Sequence, residues 1–148
     1  DAQGRLAAVW AGVKSADHPY ALAALPRALP EGRYRLGAEG LKADPQAAAM
    51  SWELGAYVFD LYKAPKRAAA ELQMAPSEAA SRGLLLATAI AATRDLVNTP
   101  AEHLGPAELS AAVKAVARAH GGRLVLPSVE RGFAVELWLA AGDDAASG

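Results

Sequence analysis

Cysteine is absent from this 148-residue chain. Its absence excludes disulfides, thiolate nucleophiles and cysteine-ligated zinc, and leaves the redox compartment open. An imbalance of charge is also missing, since fifteen Lys plus Arg against sixteen Asp plus Glu give a net charge of -1. Runs of like charge extend no further than pairs such as Lys66-Arg67 and Asp143-Asp144, so nothing points to nucleic acid or another polyanion as a partner. No apolar stretch approaches the ~18 uninterrupted residues of a membrane span, and no basic region leads into an apolar one at the N-terminus. Large apolar side chains are scarce: 2 Phe, 2 Met and 3 Trp stand in a chain that is 53% apolar. Alanine makes up much of the remainder, so helices here must pack through close backbone approach.

What is present suits a soluble α/β domain, with enough chain to bury roughly two thirds of the surface exposed on unfolding. Gly4 to Gly12 is short, apolar and bracketed by glycines, which predicts a buried strand. Asp17 can cap a short helix whose one side carries Leu22, Leu25 and Leu29, with Pro26 and Pro30 near its end. After the turn Pro30-Glu31-Gly32, Arg33 to Leu36 alternates like a strand with one wet face.

Asp44-Pro45 joins a capping oxygen to a residue that needs no amide donor, so it opens a helix. Ala49, Trp52, Ala56 and Phe59 recur at helical spacing along it, Leu54, Val58 and Leu61 broaden the apolar face, and Pro65 is the expected stop. A second helix is predicted from Pro76-Ser77-Glu78 to about Val97, with Leu85, Ala89, Ala92 and Leu96 as its inward stripe and Arg82, Arg94 and Asp95 off it. Pro100 closes it, and Thr99 to Gly105 reads as a loop.

Gly105-Pro106 starts a further helix, with Leu109, Val113 and Val116 inward and Glu108, Lys114 and Arg118 outward; Gly121-Gly122 stops it. Arg123 to Leu126 then reads as a strand, and helix followed closely by strand suggests the start of a parallel α/β unit. Phe133 to Ala141 suits a strand or a helix, and Gly142 to Gly148 reads as a loose end.

Catalytic patterns are not found among these residues. His18, His103 and His120 are far apart and outside any H-E-x-x-H or H-x-E arrangement, so each reads as a surface or helix-end histidine. Asp143-Asp144 reads as a solvated pair. Ser15, Ser51, Ser77, Ser81, Ser110, Ser128 and Ser147 lack the G-x-S-x-G setting of a nucleophile and read as turn, cap or helix-surface residues. There is no G-x-G-x-x-G or G-K-[ST] phosphate loop. Trp52, Tyr57 and Phe59 have the spacing of core residues and not of a ligand-stacking platform.

Ala91 to Leu109, which contains Arg94-Asp95-Leu96-Val97-Asn98-Thr99-Pro100 and Leu104-Gly105-Pro106, resembles the R-[DN]-L-x-N-x-P-x-N-x-L-x-P-x-x-[LF] signature of the leucyl (cytosol) aminopeptidase family. Trp52 to Lys63 is similar to that family's G-x-x-L-x-x-Y-x-F-x-x-Y-K helix, and the spacing between the two segments agrees. His103 departs from the pattern, standing where many relatives have Asn. In physical terms the second segment is a junction: Asn98 can bond local backbone, Pro100 forbids further helix, and Leu104 with Pro106 directs the next one.

The resemblance implies a partial N-terminal α/β domain of three-layer type over residues 1–76, a linker helix over 77–97, and the incomplete start of a catalytic domain over 98–148. It also implies a strand or two before Gly4, while residues 127–148 match no element of the family. For the whole parent protein it implies a cytoplasmic hexamer that releases N-terminal residues from peptides with two divalent ions, Mn or Zn. The ions' ligands lie in K-G-x-x-F-D-[ST]-G-G and N-T-D-A-E-G-R-L segments, and neither is present. Asn98 to His103 echoes the latter but has Pro100 where the metal-binding aspartate belongs, so no catalytic, metal or substrate-binding residue is carried over. The expected role is a non-catalytic N-terminal portion, inactive alone, whose partner is the remainder of the catalytic domain. The alternative is a binding module, because the family's N-terminal domain is similar to ADP-ribose-holding macro domains and some bacterial relatives bind DNA.

Overall fold

Asp44 fixes the start of the best-defined helix of the first half. Its carboxylate accepts from the Ala47 N–H at 2.8 Å, Pro45 occupies the first turn, and α2 runs Pro45–Ala56. In this computed structural model the described residues are 6–15, 18–37, 43–119, 121–127 and 134–138. They form two compact units, Asp1–Asn98 and Thr99–Gly148.

In the first unit, α1 (Leu25–Ala28) precedes β1 (Arg33–Tyr34), α2, β2 (Glu71–Leu72) and α3 (Glu78–Asn98). β1 and β2 pair in parallel, Arg33 opposite Glu71 and Tyr34 opposite Leu72, so β1, α2 and β2 make a small β-α-β unit. The core lies against α2, where Leu22, Leu29, Ala48, Trp52 and Ala70 are buried together and Leu25, Tyr34 and Leu72 pack around them. Trp52 anchors the return of the chain, because its indole N–H donates to the Ala70 carbonyl at 2.8 Å. Ser51, fully buried beside it, accepts from the Leu22 N–H at 2.7 Å and so satisfies the turn before α1.

The predicted apolar set Leu22, Leu25 and Leu29 does enter the core, although the helix is shorter than expected. Residues 18–24 form turns, α1 has no side-chain cap, and Pro26 sits in its first turn instead of ending it. Asp17, the expected cap, lies outside the described residues. Residues 6–12 have no regular secondary structure, contrary to the strand expected over 4–12, and Leu6, Val9 and Trp10 are exposed. A strand needs a ladder partner, and none pairs with this stretch among the described residues. The helix at Pro45 ends at Ala56, well before Pro65. Gly55 weakens its last turn, and a Cβ there would fall into the Ala23 backbone, so close packing holds a glycine at that point. Tyr57 then turns extended.

Ser77 caps α3 as its position predicts, accepting from the Ala80 N–H at 3.1 Å. The buried face of α3 is different from the predicted one. Ala80, Gly83 and Ala87 are buried, whereas Leu85, Ala89 and Ala92 are exposed and Leu96 is half-buried. Close approach to α2 explains the difference, since a Cβ on Gly83 would collide with the Gln46 carbonyl and stand 3.1 Å from the Ala49 methyl. Larger side chains are forced to the outer face.

In the second unit, α4 spans Pro106–Ala119, followed by β3 (Arg123–Val125) and β4 (Glu136–Trp138). Gly121 adopts φ 70°, its N–H bonds the Arg118 carbonyl at 3.1 Å, and the Gly122 N–H reaches the Ala117 carbonyl at 2.7 Å, so the double glycine ends α4 as predicted. Ala117 is the buried residue of α4; Leu109 and Val116 are exposed and Val113 is half-buried, so two of the three expected inward residues face outward. β3 pairs with β4 antiparallel, Leu124 opposite Leu137, not in the parallel arrangement expected from helix followed by strand. The connection is shorter than the dozen or so residues a parallel crossover requires. The last residues, 139–148, and Phe133 lie outside the described ones.

Candidate functional site

Tyr57 occupies the position just past α2, its N–H still bonded to the Glu53 carbonyl at 3.0 Å. From there its side chain reaches the last turn of α3. The hydroxyl donates to Asp95 Oδ1 at 2.7 Å and accepts from Asn98 Nδ2 at 3.3 Å. The Arg94 guanidinium lies over the ring, 5.3 Å from its centre, and donates to the Leu54 carbonyl at 3.3 Å. Arg94 therefore satisfies a carbonyl at the end of α2 that has no intrahelical donor. Partial burial, then the hydrogen bond to Asp95, push the Tyr57 phenol above its ordinary value of 10.0, with Asn98 and Arg94 opposing. Burial likewise raises the Glu53 carboxyl.

These contacts bring together the two segments singled out in the sequence, Trp52 to Lys63 and Ala91 to Leu109. Tyr57 was expected as a helical core residue; it is half-buried and lies beyond the helix, as does Phe59, which packs edge-on against Tyr62 at 5.7 Å. Trp52 alone of the three aromatics is fully in the core. The readable signal for the cluster was its polar residues, because Tyr57, Arg94, Asp95 and Asn98 are the letters that the two family-like segments share with their patterns. Helical periodicity carried no sign of it.

The remaining sequence candidates do not converge. His18 Nδ1 accepts from the Tyr20 N–H at 3.1 Å, a local turn contact. His103 sits in the turn after Pro100, its N–H bonded to the Pro100 carbonyl at 2.9 Å. His120, Ser128, Ser147 and Asp143-Asp144 lie outside the described residues. Among the described residues no three His, Asp or Glu side chains approach closely enough to hold a metal ion. The donor chemistry at Tyr57 does not fit a divalent cation either, since the Asp95 carboxylate accepts from the phenol and a guanidinium lies over the phenol ring. The hydrogen bonds of the cluster brace the end of α2 against the last turn of α3.

A β-α-β unit is braced by a long helix, and the two signature-like segments meet at its end, an arrangement of the α/β class. The chain belongs to the M17 aminopeptidase family: residues 1–75 match the model of the M17 aminopeptidase N-terminal domain. It is 41% identical over 91 residues to a probable cytosol aminopeptidase of Nocardia farcinica, covering 53% of this chain and 18% of that protein. The crystal structure of a cytosol aminopeptidase from Coxiella burnetii superposes with a TM-score of 0.69 at 30% identity, over 80% of this chain and 26% of the other. The bottromycin maturation enzyme BotP, solved in complex with Mn, gives 0.60 at 30% identity over 76% of this chain and 26% of its own. The chain thus spans about a fifth of the curated relative and about a quarter of these solved proteins. No helix among the described residues is long and apolar enough to cross a membrane.

Proposed function

We propose that this chain is the N-terminal, non-catalytic portion of a metal-dependent aminopeptidase. Residues 1–76 form part of an N-terminal α/β domain of three-layer type, 77–97 the linking helix, and 98–148 the start of the catalytic domain. The observation that carries this reading is the meeting of the two signature-like segments at Tyr57, within a chain whose residues 1–75 match the family's N-terminal domain. In the parent protein two divalent ions, Mn or Zn, activate water and polarise the scissile carbonyl when bound. The residues described here build the frame and leave those steps to segments beyond them. The Mn complex of BotP supports the choice of metal class. The cytosol aminopeptidase relatives support a cytoplasmic setting. The partners are the remainder of the catalytic domain and, in the assembled enzyme, further copies of the subunit.

Release of a chromogenic amine from a leucine anilide, with added Mn²⁺ or Zn²⁺, tests the reading. A 148-residue chain verified by intact mass is expected to give no more product than metal alone. Sustained turnover by that chain would overturn the assignment.

A further inference from the structure

The first unit contains a groove of about 920 Å³, lined by Leu6 to Ala11 and Arg33 to Gly37, with Leu22, Leu29 and Trp52 contributed by the core. β1 borders this groove with an edge that no described strand occupies. The Gly32 and Tyr34 carbonyls accept from Glu71 and Gln73 of the β2 side at 2.9 and 2.8 Å. Because successive peptide groups of a strand point to opposite sides, those of Arg33 and Arg35 point away from β2. No described strand pairs with that side.

Residues 6–12 are nearly all apolar and exposed, and they line the same groove. An unbroken apolar run is the pattern of a strand covered on both faces, and it is poorly suited to a solvated coil. The geometry points to a strap: Leu6 to Gly12 closes onto that edge of β1 as a third strand. Residues 13–32, containing the turns and α1, connect the strap to β1, and they exceed the dozen or so residues a parallel crossover needs. Closure gives a parallel sheet in the order strap, β1, β2. It pairs the Arg33 and Arg35 peptide groups, which lie beside a core whose Leu22, Leu29 and Trp52 are already buried. A third strand also carries the sheet past the two-stranded stage, which is marginal in water. The structure shows the open form, and closure is driven by removing Leu6 and Trp10, which share one face of an extended strand, from solvent.

Amide hydrogen exchange on the 148-residue chain tests this, since closure makes the Arg35 N–H a ladder donor. The Arg35 amide and alternate amides of residues 7–11 are expected to exchange at least about tenfold more slowly than an unprotected chain. Ala8→Pro and Val9→Pro separate the strap from general folding, because only alternate positions donate to β1 and one of the two substitutions must remove a ladder bond. One of them is expected to release Arg35 while the amides of α2 stay protected. Unprotected exchange throughout residues 7–11, or Arg35 protection that survives both prolines, overturns the strap. Protection that grows with protein concentration also overturns it, in favour of a strand supplied by a second copy.

Discussion

The Tyr57 hydroxyl donates to Asp95 Oδ1 at 2.7 Å, joining the residue that ends α2 to the last turn of α3 across 38 positions of sequence. Asn98 approaches the same oxygen from the other side. Tyr57→Phe keeps the ring beneath Arg94 and deletes both hydrogen bonds. Lower urea midpoint and faster exchange of the amides at residues 95–98, with the start of α2 unchanged, are the expected results. Unchanged exchange at 95–98 would show that the hydroxyl braces nothing.

The same phenol sets an alkaline limit. Its folded-state value is raised, so the native state keeps its proton at pH values where the unfolded chain has lost it. Its contribution is therefore complete below about pH 10 and is lost as pH rises through the folded value. Stability should fall with pH above 10 in the natural chain and fall less steeply in Tyr57→Phe. Denaturant titrations at pH 9, 10 and 11 compare the slopes, and equal slopes would contradict the assignment.

Ser51→Ala removes the acceptor of the buried Leu22 N–H and leaves that donor without a partner. The expected loss is about 1–3 kcal/mol. Ser81→Ala, at an exposed position of α3, is the control and should lie within roughly 0.5 kcal/mol of the natural chain. Equal effects of the two substitutions would mean that the Leu22 amide finds another acceptor.

Gly83→Ala would ordinarily favour a helix by about 1 kcal/mol. Here the new methyl meets the Gln46 carbonyl and the Ala49 side chain, so α2 and α3 must move apart. A net destabilisation of about 1–3 kcal/mol is expected, against almost none for Gly12→Ala, which has nothing within 4 Å. Thermal unfolding of the two variants decides between propensity and packing.

Leu109 and Val116 are 43% and 52% exposed on α4. We expect the isolated chain to associate through this face, because exposed apolar surface seeks cover. Leu109→Asp combined with Val116→Asp should shift sedimentation toward the monomer and leave α2 folded. A monomer at every concentration before mutation would remove the basis for this expectation.

Signals that act within a few residues were legible in the sequence. Asp44-Pro45, Ser77, Pro106 and Gly121-Gly122 set helix limits through local hydrogen bonds, and the structure places them accordingly. Features decided by distant packing were not. α3 is apolar on nearly every side, so its Leu85 stripe gave no direction, and only Gly83 marked the face that touches α2. β2 is two residues long and exists through pairing with β1, which leaves no periodicity to read. At the Tyr57 cluster the residues were visible as a family-like pattern, but their meeting depends on α2 ending at Ala56, where Gly55 is a weak signal beside an apolar pattern that continues to Leu61.

The small residues between the helices have a thermodynamic consequence. Much of the buried interior is Ala48, Ala49, Ala70, Ala80 and Ala87, so melting the chain wets less hydrocarbon than a leucine-filled interior of equal length would. Heat capacity of unfolding and sensitivity to denaturant both scale with that newly wetted surface. The curve of stability against temperature should therefore be broad and shallow, with a gradual transition in urea even while folding remains cooperative.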